Sequence, residues 1–199
     1  MRYFLLLYPV REYVEVFTKG HSPSVTERLG GLFRTLIEER YRRKGFKVAK
    51  VFFSTIADSS RPDLFRAWKF IPIEKDDIVI ACGVTFEEHR WAKVYPKESR
   101  ILSFLQPPIE ELVIGGFHLW DCVEKMAKYA FEQGIPVSVD EDLTEVLFFA
   151  VIGREGIPIS REESIRQTKE EMKRLRGTVI WEIMREVRQG SPWLLQVED

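Results

Sequence analysis

The chain has 199 residues, with 30 lysines and arginines against 31 aspartates and glutamates and a formal net charge of −1. That length allows one substantial hydrophobic core, and so balanced a composition gives no general attraction for nucleic acid, which favours a basic face. Two cysteines exclude a disulfide framework and point to a reducing, cytoplasmic setting.

The opening MRYFLLLYPV holds a short apolar run broken at once by Pro9, Arg11 and Glu12. It is too short for a signal peptide or a membrane span, so no membrane association is expected, and residues 3–7 read as a first core strand. Ser24 and Glu27 have the spacing of a capping box. Val25, Leu29, Leu32, Phe33, Leu36 and Ile37 then repeat at helical spacing up to Gly45. Residues 48–53 give a second buried strand, and 57–73 lack periodicity and are expected to cross an edge of the sheet. Residues 78–81, after Asp76 and Asp77, read as a central strand. The mixed charged and aromatic stretch 83–97 follows it, near the strand ends where an open α/β sheet binds ligands. His89, Trp91, Lys93 and Lys97 there are either pocket-lining residues or a solvated loop with one aromatic tucked in.

Segment 111–145, ELVIGGFHLWDCVEKMAKYAFEQGIPVSVDEDLTE, carries the most chemistry. Leu112, Val113 and Ile114 form an apolar run that suits a strand covered on both faces, and Gly115 and Gly116 end it. Val123, Met126, Ala127, Ala130 and Phe131 lie at helical spacing, and Gly134 closes that helix. Residues 135–139 read as the next strand, completing a βαβ unit. Cys122 falls in the first helical turn, where free N–H groups and the dipole favour a thiolate. After Thr144 come another apolar helix, a short strand at 157–159 and a helix capped by Ser160 with Glu163 and stopped by Gly177. A last helix is marked by Val179, Ile180, Ile183, Met184 and Val187.

The strand, Gly116, the loop, the Cys122–Val123 pair and the strand leading to Asp142 and Thr144 resemble the nucleophile segment of the isochorismatase-like cysteine hydrolases, which include the nicotinamidases. The resemblance runs best from about Asp76 to Thr144 and implies a three-layer, doubly wound α/β fold with a mainly parallel sheet. It also implies a catalytic aspartate after the first strand, a lysine after a central strand, and the cysteine. Here the aspartate position falls on Tyr8 or Pro9 and the lysine position on Cys82, so only Cys122 is retained. The family's metal-binding variant needs an acid and two closely spaced histidines. His21, His89 and His118 are too scattered in sequence for it, so no metal or other cofactor is expected.

Cys122 is therefore either a nucleophile or a small residue buried at a helix start. Asp121 is either an acid–base group or, more simply, a helix cap with Glu124. His118 is either a replacement base or a structural histidine. Cys82 is either a redox partner or, more simply, filler at a strand end. Tyr8, Cys82, His89, Trp91 and Phe117 are the candidates for lining a ligand pocket. The expectation is one domain over 1–199 with extra helices at about 160–190 that support a homodimer. The function expected is binding of a small molecule or partner without the family's standard hydrolysis. The alternative is an active amide-type hydrolase with Cys122 as nucleophile and an unorthodox base.

Overall fold

The computed structural model describes residues 1–147 and 156–196. Five strands, β1 (Arg2–Leu7), β2 (Lys47–Phe52), β3 (Ile78–Ala81), β4 (Glu111–Gly116) and β5 (Val137–Thr144), form one sheet in the order β3-β2-β1-β4-β5. Every pairing is parallel. This is the α/β architecture expected from the alternation of strands and helices. The strand expected to be central, 78–81, instead lies at one end of the five, and β1 holds the middle. Local pattern marks a strand as buried; the direction of each crossover decides its neighbours.

Helices cover both faces. Along β1, Phe4 stacks on Tyr41, the residue that follows α2 (Pro23–Arg40), with ring centroids 4.2 Å apart. On the other face Tyr3 donates its hydroxyl to the Gln106 carbonyl, and Leu7 lies with Ile101, Cys122 and Met126. Those last residues belong to α4 (Glu98–Leu102), a helical turn at Leu119–Val123, and α5 (Glu124–Glu132). Phe4, Leu5 and Leu6 are fully buried, as a two-faced parallel strand requires.

Several boundaries differ from the sequence reading for physical reasons. Helix α2 begins one residue before Ser24, at Pro23 after Ser22, so the expected Ser24–Glu27 box does not form. Pro23 fits the first helical turn because its missing N–H is not needed there. Residues 11–18 form a further helix, α1 (Arg11–Thr18), and α3 (Phe86–Ala92) forms inside the stretch read as a loop. A full capping box starts α3: Glu88 N–H donates to the Thr85 hydroxyl while the Glu88 side chain accepts from the Thr85 N–H. The expected cap at Ser160 is present, with Glu163 N–H donating to its hydroxyl at 3.3 Å. It opens α6 (Arg161–Arg174), and α7 (Val179–Gln189) follows Gly177.

The short strand expected at 157–159 is not formed. Its carbonyls, those of Pro158 and Ile159, accept instead from the guanidinium of Arg40 at the end of α2. The helix expected after Thr144 falls largely on 148–155, outside the described residues. No helix among the described residues is long and apolar enough to cross a membrane.

Arg40, fully buried, also pairs with Asp140 at 3.0 Å and Asp142 at 2.8 Å on β5. Asp142 accepts as well from the Ser164 hydroxyl of α6. Its role here is to tie α2 and α6 to the sheet edge. The chain after α7 returns to that edge, where Val139 N–H donates to the Trp193 carbonyl at 2.8 Å.

Candidate functional site

The strand order reverses between β1 and β4, since β2 and β3 build outward on one side and β5 on the other. The carboxyl ends of strands flanking such a point form the natural ligand crevice of an open α/β sheet. Tyr8 leaves β1 here with φ +52°, a left-handed conformation that is uncommon for a residue with a side chain. Gly116 ends β4 with φ +117°, and a Cβ on it would stand 2.1 Å from the Leu7 carbonyl oxygen. Only glycine lets the two strand ends approach so closely. The Phe117–His118 peptide that follows is cis. The chain then makes one wide π-type turn, Leu119–Val123, and passes directly into α5.

Cys122 sits in that wide turn. Its sulfur lies 3.7 Å from Nε2 of His89 on α3. The other ring nitrogen, Nδ1, is 3.1 Å from the Val94 carbonyl. A carbonyl only accepts, so Nδ1 carries the proton of the neutral ring and Nε2 offers its lone pair to the thiol. Burial lowers the His89 pKa, against the pull of the Val94 carbonyl and of Asp121, which keeps the ring neutral near pH 7. The ring is fixed by Phe53, with centroids 5.3 Å apart, and by Tyr95, edge-on at 5.1 Å.

The thiol does not have the accessibility or acidity expected of a residue at a helix start. Cys122 is 7% exposed, and burial, reinforced by the Asp121 charge, pushes its pKa up to about 12. Lys125 pulls the other way without prevailing. Desolvation of the charged form outweighs the favourable end of the helix. Cys82 is likewise buried, with its pKa pushed up to about 11 by desolvation. Both thiols are free.

Asp121 is not a helix cap, because the helical turn has already begun at Leu119. Its carboxylate instead accepts from Lys125 at 2.6 Å and from the Tyr95 hydroxyl at 3.3 Å. Lys125 also sits over the Tyr95 ring. The His118 ring packs on Tyr13 at 4.6 Å and Phe17 at 5.7 Å, with Nδ1 3.8 Å from Glu145. Glu145 in turn accepts the Leu119 N–H at 2.8 Å.

The pocket candidates divide. Tyr8 is buried, stacks on Phe53 at 4.6 Å, and interacts with both cysteines. Phe117 is fully buried against Phe33 and Tyr13, and so belongs to the core. Trp91 is 73% exposed and stacks with Arg90 at the surface, outside the cluster. The sequence reading did not single out Tyr95, Lys125 or Glu145. Only Lys125 carried a signal, its place four residues after Asp121 on one helix face.

Two cavities bear on ligands. The cleft beside Cys122, bounded by Leu7, Tyr8, Tyr95, Ile101, Lys125 and Met126, has room for about one water molecule. A larger cavity of about 530 Å³ lies between β5, α6 and α7, with Val139, Arg161, Ile165, Thr168, Trp193 and Leu194 in its wall. For a metal, the donor atoms of His89, Asp121 and Cys122 lie within 4.8 Å of one another.

No family model matches the chain, and no curated protein matches it. Solved structures do. N-carbamoylsarcosine amidase from Thermoplasma acidophilum is 20% identical with a TM-score of 0.47, over 72% of this chain and 83% of that one. An isochorismatase family protein from Burkholderia thailandensis is 15% identical with a TM-score of 0.46, over 72% and 78%. Pyrazinamidase of Pyrococcus horikoshii, solved in complex with zinc, is 15% identical with a TM-score of 0.47, over 87% and 95%.

Proposed function

We propose that this chain is a non-hydrolytic relative of the cysteine hydrolases it resembles, and that it binds a small molecule in the cavity between β5, α6 and α7. What carries the reading is the environment of the thiol. Tyr8 or Pro9 stands where the resemblance implies an aspartate and Cys82 where it implies a lysine, and the cleft beside Cys122 has room for about one water. Acyl transfer at a thiol needs a base for its proton, a donor for the leaving group and space for a carbonyl group within reach. His89 could supply the base and, once protonated, the donor; the space for the carbonyl group is what is lacking. The cavity at the sheet edge, in contrast, has the size of small-molecule sites and a mixed lining, with Trp193, Leu194 and Ile165 for an apolar body and Arg161, Thr168 and Glu141 for polar groups.

A second reading rests on one contact. Nε2 of His89 at 3.7 Å from the Cys122 sulfur is placed to take the thiol proton during attack, which would make the pair a nucleophile and base without the aspartate.

Two measurements decide. Incubation with nicotinamide and with isochorismate, representing amide and vinyl-ether bonds, is expected to give no turnover above background. A thermal-shift screen of small aromatic acids, amines and amides is expected to give stabilising compounds whose effect disappears in Ile165→Trp, which fills the cavity. Robust turnover abolished by Cys122→Ser and by His89→Ala would overturn the first reading in favour of the second.

A further inference from the structure

We propose that His89, Asp121 and Cys122 together bind one divalent transition-metal ion of the zinc class. The three bring an imidazole, a carboxylate and a thiol to one point from two segments of the chain, α3 and the turn before α5. That mixture of nitrogen, sulfur and oxygen donors suits zinc and its neighbours, whereas calcium and magnesium take oxygen ligands.

The spacing of the sulfur and the imidazole fits before any rearrangement. Zinc–sulfur and zinc–imidazole bonds of about 2.3 Å and 2.0–2.1 Å at a tetrahedral angle put the two donors roughly 3.6 Å apart. The Cys122 sulfur and His89 Nε2 are 3.7 Å apart. The carboxylate lies within 4.8 Å of both and closes the remaining distance by side-chain rotation.

The surroundings have the character of an outer shell. The Val94 carbonyl holds Nδ1 and so leaves Nε2 as the free lone pair, the usual way a ligating histidine is oriented. Lys125 and the Tyr95 hydroxyl hold one carboxylate oxygen each and aim Asp121 from outside. On binding, the thiol proton leaves to solvent and the sulfur ligates as thiolate. One thiolate and one carboxylate then balance the two positive charges of the ion. Three protein ligands leave a fourth position for water, for which the adjoining cleft has room. Such an ion would fasten α3 to the β4–α5 unit. It requires neither the ligand cavity nor any hydrolysis, so its fate is separate from that of the proposed function.

The test uses cobalt(II) as a spectroscopic probe on full-length, chelator-treated protein. We expect a thiolate-to-cobalt charge-transfer band and tetrahedral visible bands that saturate at one equivalent and vanish when zinc is added. Cys82→Ser should keep them and Cys122→Ser should lose the charge-transfer band. Asp121→Asn, at a half-exposed position that leaves the core untouched, should weaken cobalt binding by about tenfold or more. Zinc should also raise the melting temperature of the wild type and leave that of His89→Gln unchanged. Absence of the band in wild-type protein at excess cobalt would overturn the proposal whatever the variants do. So would a band that survives in folded Cys122→Ser, or equal affinity in Asp121→Asn.

Discussion

The Cys122 sulfur lies 3.7 Å from Nε2 of His89, a residue 33 positions earlier in the chain. The contact exists because β3 and β4, which deliver α3 and α5, end on the same side of the sheet, as parallel strands must. It pairs a buried thiol with a buried neutral imidazole. The resting pair is uncharged, since burial raises the acidity constant of one partner and lowers that of the other.

The thiol should therefore be sluggish. With its pKa pushed up to about 12, Cys122 has far less thiolate at neutral pH than an ordinary cysteine. Raising the pH increases that fraction, so metal-free Cys82→Ser protein should react slowly with iodoacetamide at pH 7 and about tenfold faster for each pH unit above it. Mass spectrometry of the alkylated native protein checks this. A rate at pH 7 equal to that of the unfolded chain would contradict it.

Gly116→Ala should be among the most damaging single substitutions. The new methyl meets the Leu7 carbonyl oxygen at 2.1 Å and the Leu7 nitrogen at 2.5 Å, at a φ of +117° that alanine rarely adopts. Conformational strain alone costs about 1–3 kcal/mol, and separating β1 from β4 adds to it. Urea unfolding should show a midpoint far below wild type, or no folded protein at all.

Arg40→Met should cost about 3–5 kcal/mol, because it leaves Asp140 and Asp142 facing each other without their shared cation. The size of the residue is nearly kept, so the loss reports the ion pairs and the hydrogen bonds to the Pro158 and Ile159 carbonyls rather than packing. Pairing the change with Asp140→Asn should recover part of the loss in the same unfolding measurement, as a double-mutant cycle between contacting residues does.

We propose that the chain self-associates as a dimer through α7. Val179, Ile180, Ile183 and Val187 are all more than 40% exposed on this one helix, an apolar surface that a second copy would cover. An isologous contact needs one self-complementary patch, and a single helix face crossing its copy supplies one. Light scattering should give twice the chain mass at micromolar concentration, and Ile183→Glu should give the monomer. A wild-type monomer at high micromolar concentration would rule this out.

Sequence alone located the five strands of the sheet, the helix of the βαβ unit around Cys122, and the Ser160 cap, because each is written in local periodicity and local hydrogen bonding, although the same pattern suggested a strand at 157–159 that does not form. The capping box of Thr85 and Glu88 was written there too, although the charged and aromatic letters around it read as a loop. Only the tertiary structure decided that β1 is central, that Arg40 is buried with two aspartates, and that His89 rather than His118 faces the thiol. These depend on which crossovers bring distant strand ends together, and no local pattern carries that. The acidity of Cys122 illustrates the division: its position at the start of a helix is legible and argues for a thiolate, while the desolvation that overrides it comes from residues such as Tyr8, Tyr95 and Met126, scattered through the chain and assembled only by the fold.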